Sequence, residues 1–510
     1  MQRTGRTGQQ RRDASGPDRR RYHRRVPAGS PPSFDTCPPA DRLLPSDPTI
    51  RSVARELLSH TQGLPIISPH GHVDAAVLAE DRPFDDPAIE LITQDHYVLR
   101  MLHSQGIAFE SLGRRPLDGS PARSDGRDIW RTFAEHLHLF AGTPSRIWFE
   151  HTLEHVLGWR GRLSSMNADD AYDHVVEVLG RDSHRPRSLY DRFGIGALAT
   201  TDAALDELGH HAAIRASGWD GVVVPTLRPD DVVDPDRPNF SANLDRLAES
   251  TGRDTSSWSG YLDAIRQGRR TFIAAGATAT DHGPPTARTA DLDPHAAARL
   301  FDRVRATTPS AEDAELFRAQ MLTELASMSV EDGLVMQLHA GSWRNHDPAA
   351  FDRFGPDVGA DIPTRMDYVG ALKPLLDRFG NDRRLTLVVY TLDESTYSRE
   401  LAPLAGYYPA LRLGPAWWFH DSPEGMRRYR RLVTETAGFH NTVGFNDDAR
   451  SLLTIPARHD MARRIDAGVV AEMLLDGRIH DDEAFALVEE LAVGLAARTF
   501  RLGDPTPRPT

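Results

Sequence analysis

Short apolar runs of β-type residues alternate with longer helical stretches along most of the chain. The runs are found at 64–72, 195–202, 221–226, 271–277, 333–339, 385–391, 411–418 and 441–445. Apolar strands separated by helices are typical of a parallel sheet covered on both faces. Eight of them predict an α/β fold of the closed (β/α)8, or TIM-barrel, class. A doubly wound open sheet is the alternative, but no Gly-x-Gly-x-x-Gly follows an early strand.

The long interval between the first and second runs has a different pattern. From 84 to 190 it is helical, rich in histidine and aromatic residues, and without a convincing strand. We therefore predict a helical insertion at 84–190 after the first strand, with the barrel formed by 47–83 and 191–510. Residues 1–46 are rich in arginine, proline and serine, which predicts a disordered tail.

Composition narrows the class of protein. The 510 residues are 39% apolar and 26% charged, as in a soluble globular protein. No apolar run is long enough to cross a bilayer, and the N-terminus lacks the apolar core of a signal peptide. Cys37 is the only cysteine, so disulfides within the chain and cysteine-based metal sites are excluded. We expect a cytoplasmic protein that does not bind membranes.

The charge is unevenly distributed. Residues 1–25 hold nine arginines against two aspartates, whereas the whole chain carries a net charge of −13. A basic arm could bind nucleic acid, and a degenerate barrel with such an arm is one non-enzymatic alternative. The acidic body argues against a polyanion as the main partner. We therefore interpret the arm as a tail and predict no nucleic-acid partner.

Lysine is almost absent, which limits the chemistry of any site. Lys373 is the only lysine, and it lies in a predicted helix. A Schiff base or a bridging carboxylated lysine would have to use this residue. The sequence therefore argues against both.

The first apolar run ends in a pair of histidines, in the sequence Leu64-Pro-Ile-Ile-Ser-Pro-His-Gly-His72. Alternate side chains of a strand point to the same face, so His70 and His72 can converge on one point. Two imidazoles at the end of a buried strand are typical of a pair of metal ligands. Because His-x-His pairs also occur by chance, the residues expected near this pair in the fold must decide whether it binds a metal.

Barrel closure supplies a third ligand. The first and eighth strands of such a barrel are adjacent, and functional side chains gather at the carboxyl ends of the strands. The eighth run is followed by Asp447 and Asp448, either of which would then lie beside His70 and His72. Two neutral imidazoles and one carboxylate on a divalent cation leave positions open for a substrate. A turn or a helix N-cap is the alternative role for either aspartate.

Taken together, the motifs make the chain resemble the glucuronate (uronate) isomerase family of the amidohydrolase superfamily, from about residue 42 almost to the C-terminus. The motifs that carry the resemblance occur in the family's order: Pro65-Ile-Ile-Ser-Pro-His-Gly-His72, Asp95-His-Tyr97, Leu99-Arg-Met-Leu102, Thr200-Thr-Asp202, Val224-Pro-Thr-Leu-Arg-Pro-Asp230, Asp281-His-Gly283, Met336-Gln-Leu-His-Ala-Gly-Ser-Trp-Arg-Asn345, Trp417-Trp-Phe419 and Asp448-Ala-Arg-Ser451.

The resemblance implies an aldose–ketose isomerase that converts D-glucuronate to D-fructuronate and D-galacturonate to D-tagaturonate through an enediol. It implies that His70, His72 and Asp448 hold one divalent metal ion. Asp448 would also help to move the C2 proton, and Tyr97 would shuttle protons between the C1 and C2 oxygens. Zinc is the first expectation for the metal, with manganese or iron(II) as alternatives. A homo-oligomer is expected from the family.

The resemblance also implies residues that contact the sugar acid. They are His96, Arg228, Arg450, His339 and Arg344. The side-chain chemistry agrees with these roles. Arginine can hold a carboxylate in two parallel hydrogen bonds. A proton transfer between adjacent carbons needs a base and stabilisation of the enediolate oxygens. Each residue has a plainer alternative role. Arg228 could anchor a loop to Asp230 or Asp231, and His339 could bind the metal, contact substrate or orient a neighbour.

The chain departs from the family pattern near the substrate-contacting loops. The usual Thr-Thr-Asp-Asp-Pro reads Thr200-Thr-Asp-Ala-Ala204, and asparagines that usually follow the arginine are replaced in Arg344-Asn-His-Asp347. The predicted metal and proton-transfer residues are spared. The main alternative function is a mononuclear metal-dependent hydrolase or decarboxylase on the same scaffold. In such an enzyme, a metal-bound water could use the same His, His and Asp set.

Overall fold

Eleven strands form the sheets in the computed structural model of the chain, which describes residues 40–123, 125–237, 239–306 and 308–503. Their bounds are β1 Ile66–Ser68, β2 Ile195–Ala199, β3 Asp202–Ala203, β4 Val223–Val224, β5 Leu227–Arg228, β6 Ala279–His282, β7 Val335–His339, β8 Ser342–Trp343, β9 Ile362–Pro363, β10 Leu387–Tyr390 and β11 Leu411–Leu413.

Two parallel sheets contain nine of these strands. One has the order β1-β2-β4, and the other has the order β11-β10-β7-β6-β5-β3. The chain passes directly from β2 to β3 and from β4 to β5, so each of these pairs joins the two sheets. The short strands β8 and β9 form a separate antiparallel pair. The predicted α/β class with parallel sheet is confirmed.

Helices surround the sheets, as expected when parallel strands are joined by crossovers. Those of the described residues are α1 Pro48–His60, α2 Ala75–Glu80, α3 His96–His103, α4 Gly126–His136, α5 Pro144–His151, α6 Ala168–Leu179, α7 Pro186–Arg192, α8 Gly209–Ala216, α9 Asp230–Val233, α10 Phe240–Thr251, α11 Trp258–Ala274, α12 Pro294–Ala306, α13 Ala311–Asp332, α14 Pro348–Phe354, α15 Tyr368–Phe379, α16 Glu394–Thr396, α17 Ala402–Tyr407, α18 Pro423–Ala437, α19 Ile455–Leu475, α20 Asp481–Glu489 and α21 Leu495–Phe500.

Shorter turns of 3-10 and π geometry extend or connect these helices. The 3-10 turns are Phe109–Leu112, Leu137–Phe140, Asp182–His184, Trp418–His420 and Leu452–Thr454, and the π turns are Ile89–Thr93, Thr152–Val156, Tyr397–Leu401 and Glu490–Gly494.

The start of α1 shows how local sequence sets a helix boundary. The Asp47 side chain accepts hydrogen bonds from the backbone N–H groups of Thr49 and Ile50, and Pro48 occupies the first turn, where a missing N–H costs nothing. The helix buries Ala54 and Leu57 against α19. These local signals therefore place the start of α1 at Pro48.

One predicted strand is wrong. The β-type run at 271–277 lies mostly in the last turn of α11, which ends at Ala274, and the strand that follows is β6, Ala279–His282. Residues such as Tyr261, Ile265 and Phe272 are buried along one face of α11, so packing of a long amphipathic face outweighs the local β-propensity. Gly276, with a φ of 97°, reverses the chain before the strand begins.

The eighth predicted run does not form a strand either. Within 441–445 the structure has one parallel bridge, between Leu413 and Thr442. Further along, the Asp448 N–H donates to the His70 carbonyl at 3.2 Å, and the His72 N–H donates to the Ala449 carbonyl at 2.8 Å. The segment that follows the eighth run therefore lies beside the end of β1, although its own strand ladder is too short to count as a strand.

The segment 84–190 is helical in its described residues and contains no strand there. Its helices share a core with β1 and β2, centred on buried aromatic residues such as Trp130, Phe133 and Phe149. Most of the tail predicted at 1–46 lies outside the described residues. The described residues 40–46 contact α19, since Arg42 pairs with Asp460 at 2.7 Å. Among the described residues, no helix is long and apolar enough to cross a membrane.

Four buried histidines outside the predicted metal site make stability depend on pH. Burial lowers the pKa of His151 to about 3 and the pKa values of His211, His282 and His420 to about 4. The unfolded chain therefore binds more protons than the folded chain below the unperturbed histidine pKa of about 6.5. We expect the free energy of unfolding to fall as pH drops from about 6.5 towards 4, by up to about 1.4 kcal/mol per pH unit for each histidine.

Urea unfolding at several pH values would measure this slope. His282→Gln removes one titrating group while keeping a polar side chain. The free energy of unfolding of this variant should therefore change less steeply with pH than that of the wild type, by roughly the contribution of one histidine. An unchanged slope in this variant would show that His282 does not contribute to the pH dependence.

Candidate active site

Side chains from several strand ends meet at one edge of the parallel sheets. His70 follows β1, Asp281 lies in β6, His339 ends β7, Trp417 follows β11, and Asp448 follows the bridge at Thr442. Because parallel strands all point the same way, residues at their carboxyl ends meet despite long separations in sequence. Side chains predicted to lie at the carboxyl ends of the strands therefore lie close together at this edge.

The three predicted metal ligands converge. The His72 Nε2 and His70 Nε2 atoms lie 3.2 Å and 3.5 Å from the Asp448 Oδ1 atom. The Asp448 Oδ1 atom is buried and accepts no hydrogen bond from the residues that the structure describes, so it can accept another partner. Two imidazole nitrogens and one carboxylate oxygen suit a divalent ion such as zinc, manganese or iron(II). The donor set therefore fits the predicted metal ion.

The electrostatics also suit ligands of a cation. Burial, followed by the neighbouring His339, lowers the pKa of His70 to about 3, so its imidazole is neutral and can ligate. Burial alone would raise the pKa of Asp448, but His72 and His70 hold it well below its usual range. Asp448 therefore carries a negative charge at neutral pH.

The structure distinguishes Asp448 from Asp447, which the sequence left as alternatives. The Asp447 carboxylate makes its hydrogen bonds away from His70 and His72, the predicted metal ligands. Its Oδ2 atom lies 3.0 Å from His459 Nε2, and its Oδ1 atom accepts the Ala449 N–H at 3.1 Å. Asp448 has a left-handed φ of 48°, which aims its side chain at His70 instead. Asp447 therefore supports the backbone, and Asp448 points into the site.

Asp281 is a site residue to which the sequence analysis gave no role. Its Oδ1 atom lies 2.6 Å from His339 Nδ1, and its Oδ2 atom lies 3.1 Å from an Arg228 nitrogen. Burial would raise the pKa of Asp281, but Arg228 and His339 hold it well below its usual range. The signal was its position at a strand end within the Asp281-His-Gly283 motif. The adjacent His282 bonds to Thr280 instead, at 2.9 Å.

His339 lies inside the site. Its ring stacks on His70 with centroids 4.5 Å apart and on Tyr390 with centroids 3.8 Å apart. Its Nε2 atom is buried and has no hydrogen-bond partner. The group His70, Asp281 and His339 has ligand atoms close enough to hold an ion, but the Arg228 guanidinium at Asp281 disfavours a second cation there.

Tyr97 and His96 enter from the first turn of α3, whose N-cap is Asp95. Their rings stack on each other at 4.6 Å, and His96 also meets Trp418 edge-on at 5.3 Å. Both ring nitrogens of His96 are buried and have no hydrogen-bond partner among the described residues. Burial raises the pKa of Tyr97 well above its usual value, so its hydroxyl is protonated at neutral pH and can donate a proton.

Trp417 and Trp418 lie between the His96–Tyr97 pair and Asp448, one of the predicted metal ligands. Trp417 and Trp418 pack with ring centroids 5.8 Å apart, and the Trp417 Nε1–H group donates to Asp448 Oδ2 at 3.2 Å. His96 therefore reaches Asp448 through two indole rings. This hydrogen bond also fixes one oxygen of Asp448 and leaves the other facing the histidines.

The three predicted arginines all bind carboxylates of the protein. Arg450 donates to Asp357 at 2.9 Å, and Arg344 donates to Asp361 at 2.9 Å. Arg344 also lies over the Trp418 ring at 5.2 Å, which places it next to His96. Within the described part of the chain, the buried Nε atom of Arg450 has no hydrogen-bond partner, so this guanidinium keeps donor capacity.

Arg228 is held more tightly than the other two arginines. It donates to Asp230 at 2.8 Å as well as contacting Asp281. Burial would lower its pKa, but these two carboxylates raise it. The loop anchor that the sequence offered as the alternative role is therefore present in the structure. Arg228 also contacts the Asp281–His339 pair, which joins that anchor to the site.

Comparisons with known proteins point to one family. A family model described as glucuronate isomerase matches residues 49–500. A uronate isomerase of Mesorhizobium japonicum is 58% identical over 462 residues, which cover 91% of this chain and 98% of the relative. The crystal structure of glucuronate isomerase from Caulobacter crescentus is 52% identical with a TM-score of 0.89, covering 92% of this chain and 97% of that one. A uronate isomerase structure from Thermotoga maritima is 26% identical with a TM-score of 0.84, covering 90% and 98%.

Proposed function

Because the chain belongs to the glucuronate isomerase family, we propose that it interconverts the aldose and ketose forms of hexuronates through an enediol. The substrates would be D-glucuronate and D-galacturonate, and the products D-fructuronate and D-tagaturonate. The predicted isomerase is confirmed by the relatives, and the hydrolase or decarboxylase alternative is not favoured. The observation that carries the mechanism is the convergence of His70, His72 and Asp448 beside the partly buried Tyr97.

The metal site would be formed by His70, His72 and Asp448. A divalent ion there supplies Lewis-acid polarisation of the substrate's carbonyl and hydroxyl oxygens. The preference for zinc over manganese or iron(II) stays a prediction, since all three accept nitrogen and oxygen ligands.

Proton transfer would be divided between two side chains. We assign to Asp448 the removal of the C2 proton and its return to C1, because its carboxylate is ionised at neutral pH and the hydrogen bond from Trp417 fixes the orientation of the side chain. Tyr97 would donate and accept protons at the C1 and C2 oxygens. The Tyr97 ring stacks on His96 and packs edge-on against Trp148, which restrains the position of its hydroxyl for that exchange.

The substrate carboxylate would bind at the arginine-rich side of the site, formed by Arg450, Arg344 and Arg228, with His96 and His339 as neutral hydrogen-bonding groups. The partly satisfied Arg450 is the residue with most donor capacity to offer. Because a charge-assisted hydrogen bond contributes more than a neutral one, this arginine sets affinity for the anion.

Arg450→Gln is therefore expected to raise KM for D-glucuronate by about 10-fold to 100-fold, with a smaller effect on kcat. Steady-state kinetics would measure both constants. Arg384→Gln, at an exposed arginine paired with Asp382, is the matched control and should leave both unchanged. A KM for Arg450→Gln equal to that of the control would remove Arg450 from the substrate site.

The reaction itself is tested by incubating the metal-reconstituted protein with each hexuronate in deuterated water. The proposal expects ketose formation together with exchange of the C2 proton, because an enediol passes that proton through the protein. A hydrolase would form no ketose and would exchange no proton. Turnover of neither sugar by a protein that binds metal stoichiometrically would contradict the proposed substrates.

We also propose that the sheets close into the predicted (β/α)8 barrel with a helical insertion at 84–190. The shared segments between the two sheets and the hydrogen bonds between 70–72 and 448–449 support closure. The division into 47–83 with 191–510 and the insertion stays a prediction. So do the homo-oligomer, the absence of a nucleic-acid partner and the cytoplasmic location.

A further inference from the structure

We propose that Arg458 is a positioning residue that fixes Tyr97 relative to Asp448. Tyr97 comes from the helical segment 84–190 and Asp448 from the loop after the last bridge, so no local structure sets the distance between them. Arg458, on α19, contacts the residue before Asp448 and the ring of Tyr97. The inference rests on the proposed function, since it concerns the two residues assigned to proton transfer.

On one side, Arg458 holds the backbone next to Asp448. Its Nη1 atom donates to the Asp447 carbonyl at 3.0 Å and to Asp421 Oδ2 at 3.2 Å. Asp421 directly follows the 3-10 turn that begins at Trp418, so one guanidinium ties together the loops that carry Asp448 and the two tryptophans. Arg458 is 5% exposed, which removes competition from water for these bonds.

On the other side, Arg458 supports Tyr97. The guanidinium lies over the ring of Trp148 at 3.9 Å and 5.9 Å from the centroid of the Tyr97 ring. Trp148 in turn packs edge-on against Tyr97 at 5.7 Å. Cation–π contacts are strengthened by burial, so the Trp148 ring and the Tyr97 ring are held against the same cation that holds the Asp447 carbonyl.

The backbone at Asp448 needs such support. A left-handed φ costs a non-glycine residue roughly 1 kcal/mol or more, and Asp448 has a φ of 48°. Four hydrogen bonds to the backbone of this turn are present among the described residues: Asp448 N–H to the His70 carbonyl, His72 N–H to the Ala449 carbonyl, Ala449 N–H to Asp447 Oδ1, and Arg458 to the Asp447 carbonyl. Only the last of these comes from outside the two strand-end loops.

Stability alone does not explain the buried Arg458–Asp421 pair. Burying two charges costs desolvation free energy that their attraction often only balances, so such a pair is weak evidence for stability. A planar guanidinium can bond in its plane while stacking on an aromatic face, which an ammonium cannot do. The side chain at this position bonds to a carboxylate and a carbonyl and also stacks on an indole ring. We therefore infer that arginine is needed here for its geometry.

Arg430 provides a matched control. It lies on α18, is also 5% exposed, donates to Asp466 at 2.8 Å, and donates to the Gly444 carbonyl at 3.5 Å. It therefore resembles Arg458 in burial, in pairing with an aspartate and in contacting a carbonyl shortly before the site. It makes no aromatic contact with Trp148 or Tyr97 among the described residues.

The experiment compares Arg458→Lys with Arg430→Lys in the metal-reconstituted full chain. For both variants, kcat and KM for D-glucuronate are normalised to the folded fraction and to bound metal. We expect Arg458→Lys to lower kcat by about 100-fold, because a displacement of about 1 Å is enough for such a loss, with KM changed by less than about 3-fold. Arg430→Lys should keep a normalised kcat within about 3-fold of the wild type.

Asp421→Asn is the second variant, in case Arg458→Lys folds poorly. Burial raises the pKa of Asp421 to about 7, and the substitution keeps the shape of the side chain while removing the charged form that strengthens its hydrogen bond with Arg458, so it should lower normalised kcat in the same direction. Equal normalised kcat values for the Arg458 and Arg430 variants would overturn the proposal. So would a loss that appears in KM alone.

Crystal structures of the wild type and Arg458→Lys separate this inference from the proposed function. If the wild type turns over neither hexuronate, the proposed function fails, but the positioning role still predicts that Tyr97 moves relative to Asp448 in the variant. An unchanged separation between these two side chains would overturn the positioning role whatever the wild type's activity.

Discussion

Asp448→Asn should reduce hexuronate isomerisation by about 10³-fold to 10⁴-fold, the largest effect that we expect from a single substitution at this site. The amide keeps the size of the side chain and can still accept the Trp417 hydrogen bond. It cannot take a proton from C2, and it is a weaker ligand beside His70 and His72. Ketose formation and C2 proton exchange in deuterated water should therefore disappear together.

Asp447→Asn is the adjacent control. Asp447 pairs with His459 and caps the turn through the Ala449 N–H, so its replacement should lower the free energy of unfolding while leaving most of the activity of the folded protein. Retained isomerisation in Asp448→Asn, with loss in Asp447→Asn, would mean that the two aspartates have been assigned the wrong way round.

His72→Asn should give the second largest effect. Its Nε2 atom lies 3.2 Å from Asp448 Oδ1, and loss of one of three protein ligands should abolish stoichiometric metal binding. Without Lewis-acid polarisation of the substrate oxygens, turnover should fall by about 10³-fold or more. Metal analysis after dialysis and a turnover assay with added zinc, manganese or iron(II) would measure both effects.

His184→Gln is the control for this substitution. His184 is a histidine outside the site: it lies in the helical segment 84–190, is buried, and bonds to the Val156 carbonyl. We expect this variant to keep its metal and its turnover. Full metal occupancy in His72→Asn would contradict the assigned ligand set, and full turnover by a metal-free His72→Asn would contradict a role for the metal in the reaction.

The sequence predicted the residues whose chemistry depends on local pattern. The His70 and His72 pair was visible because it ends an apolar run, and two histidines in alternate positions can share a direction. The parallel α/β class followed from apolar runs separated by helices. The family resemblance added Tyr97, His96 and the arginines, which no periodicity would have identified.

Secondary structure was less predictable where local propensity and packing disagree. The run at 271–277 has β-type residues, yet it completes α11 because the whole face of that helix is buried. The run at 441–445 has one bridge, at Thr442. In both cases the boundary depends on neighbours that are far away in sequence.

The sequence by itself therefore predicted the parallel α/β class of fold, the pair of histidines proposed as metal ligands and the family to which the chain belongs. Only the tertiary structure decided that Asp448 and not Asp447 faces the histidines, that Asp281 holds His339, and that Arg458 joins the surroundings of Tyr97 and Asp448. The physical reason is that residue type and spacing fix which chemistry a side chain can perform. Its direction and its partner are fixed by backbone geometry and by contacts between segments hundreds of residues apart.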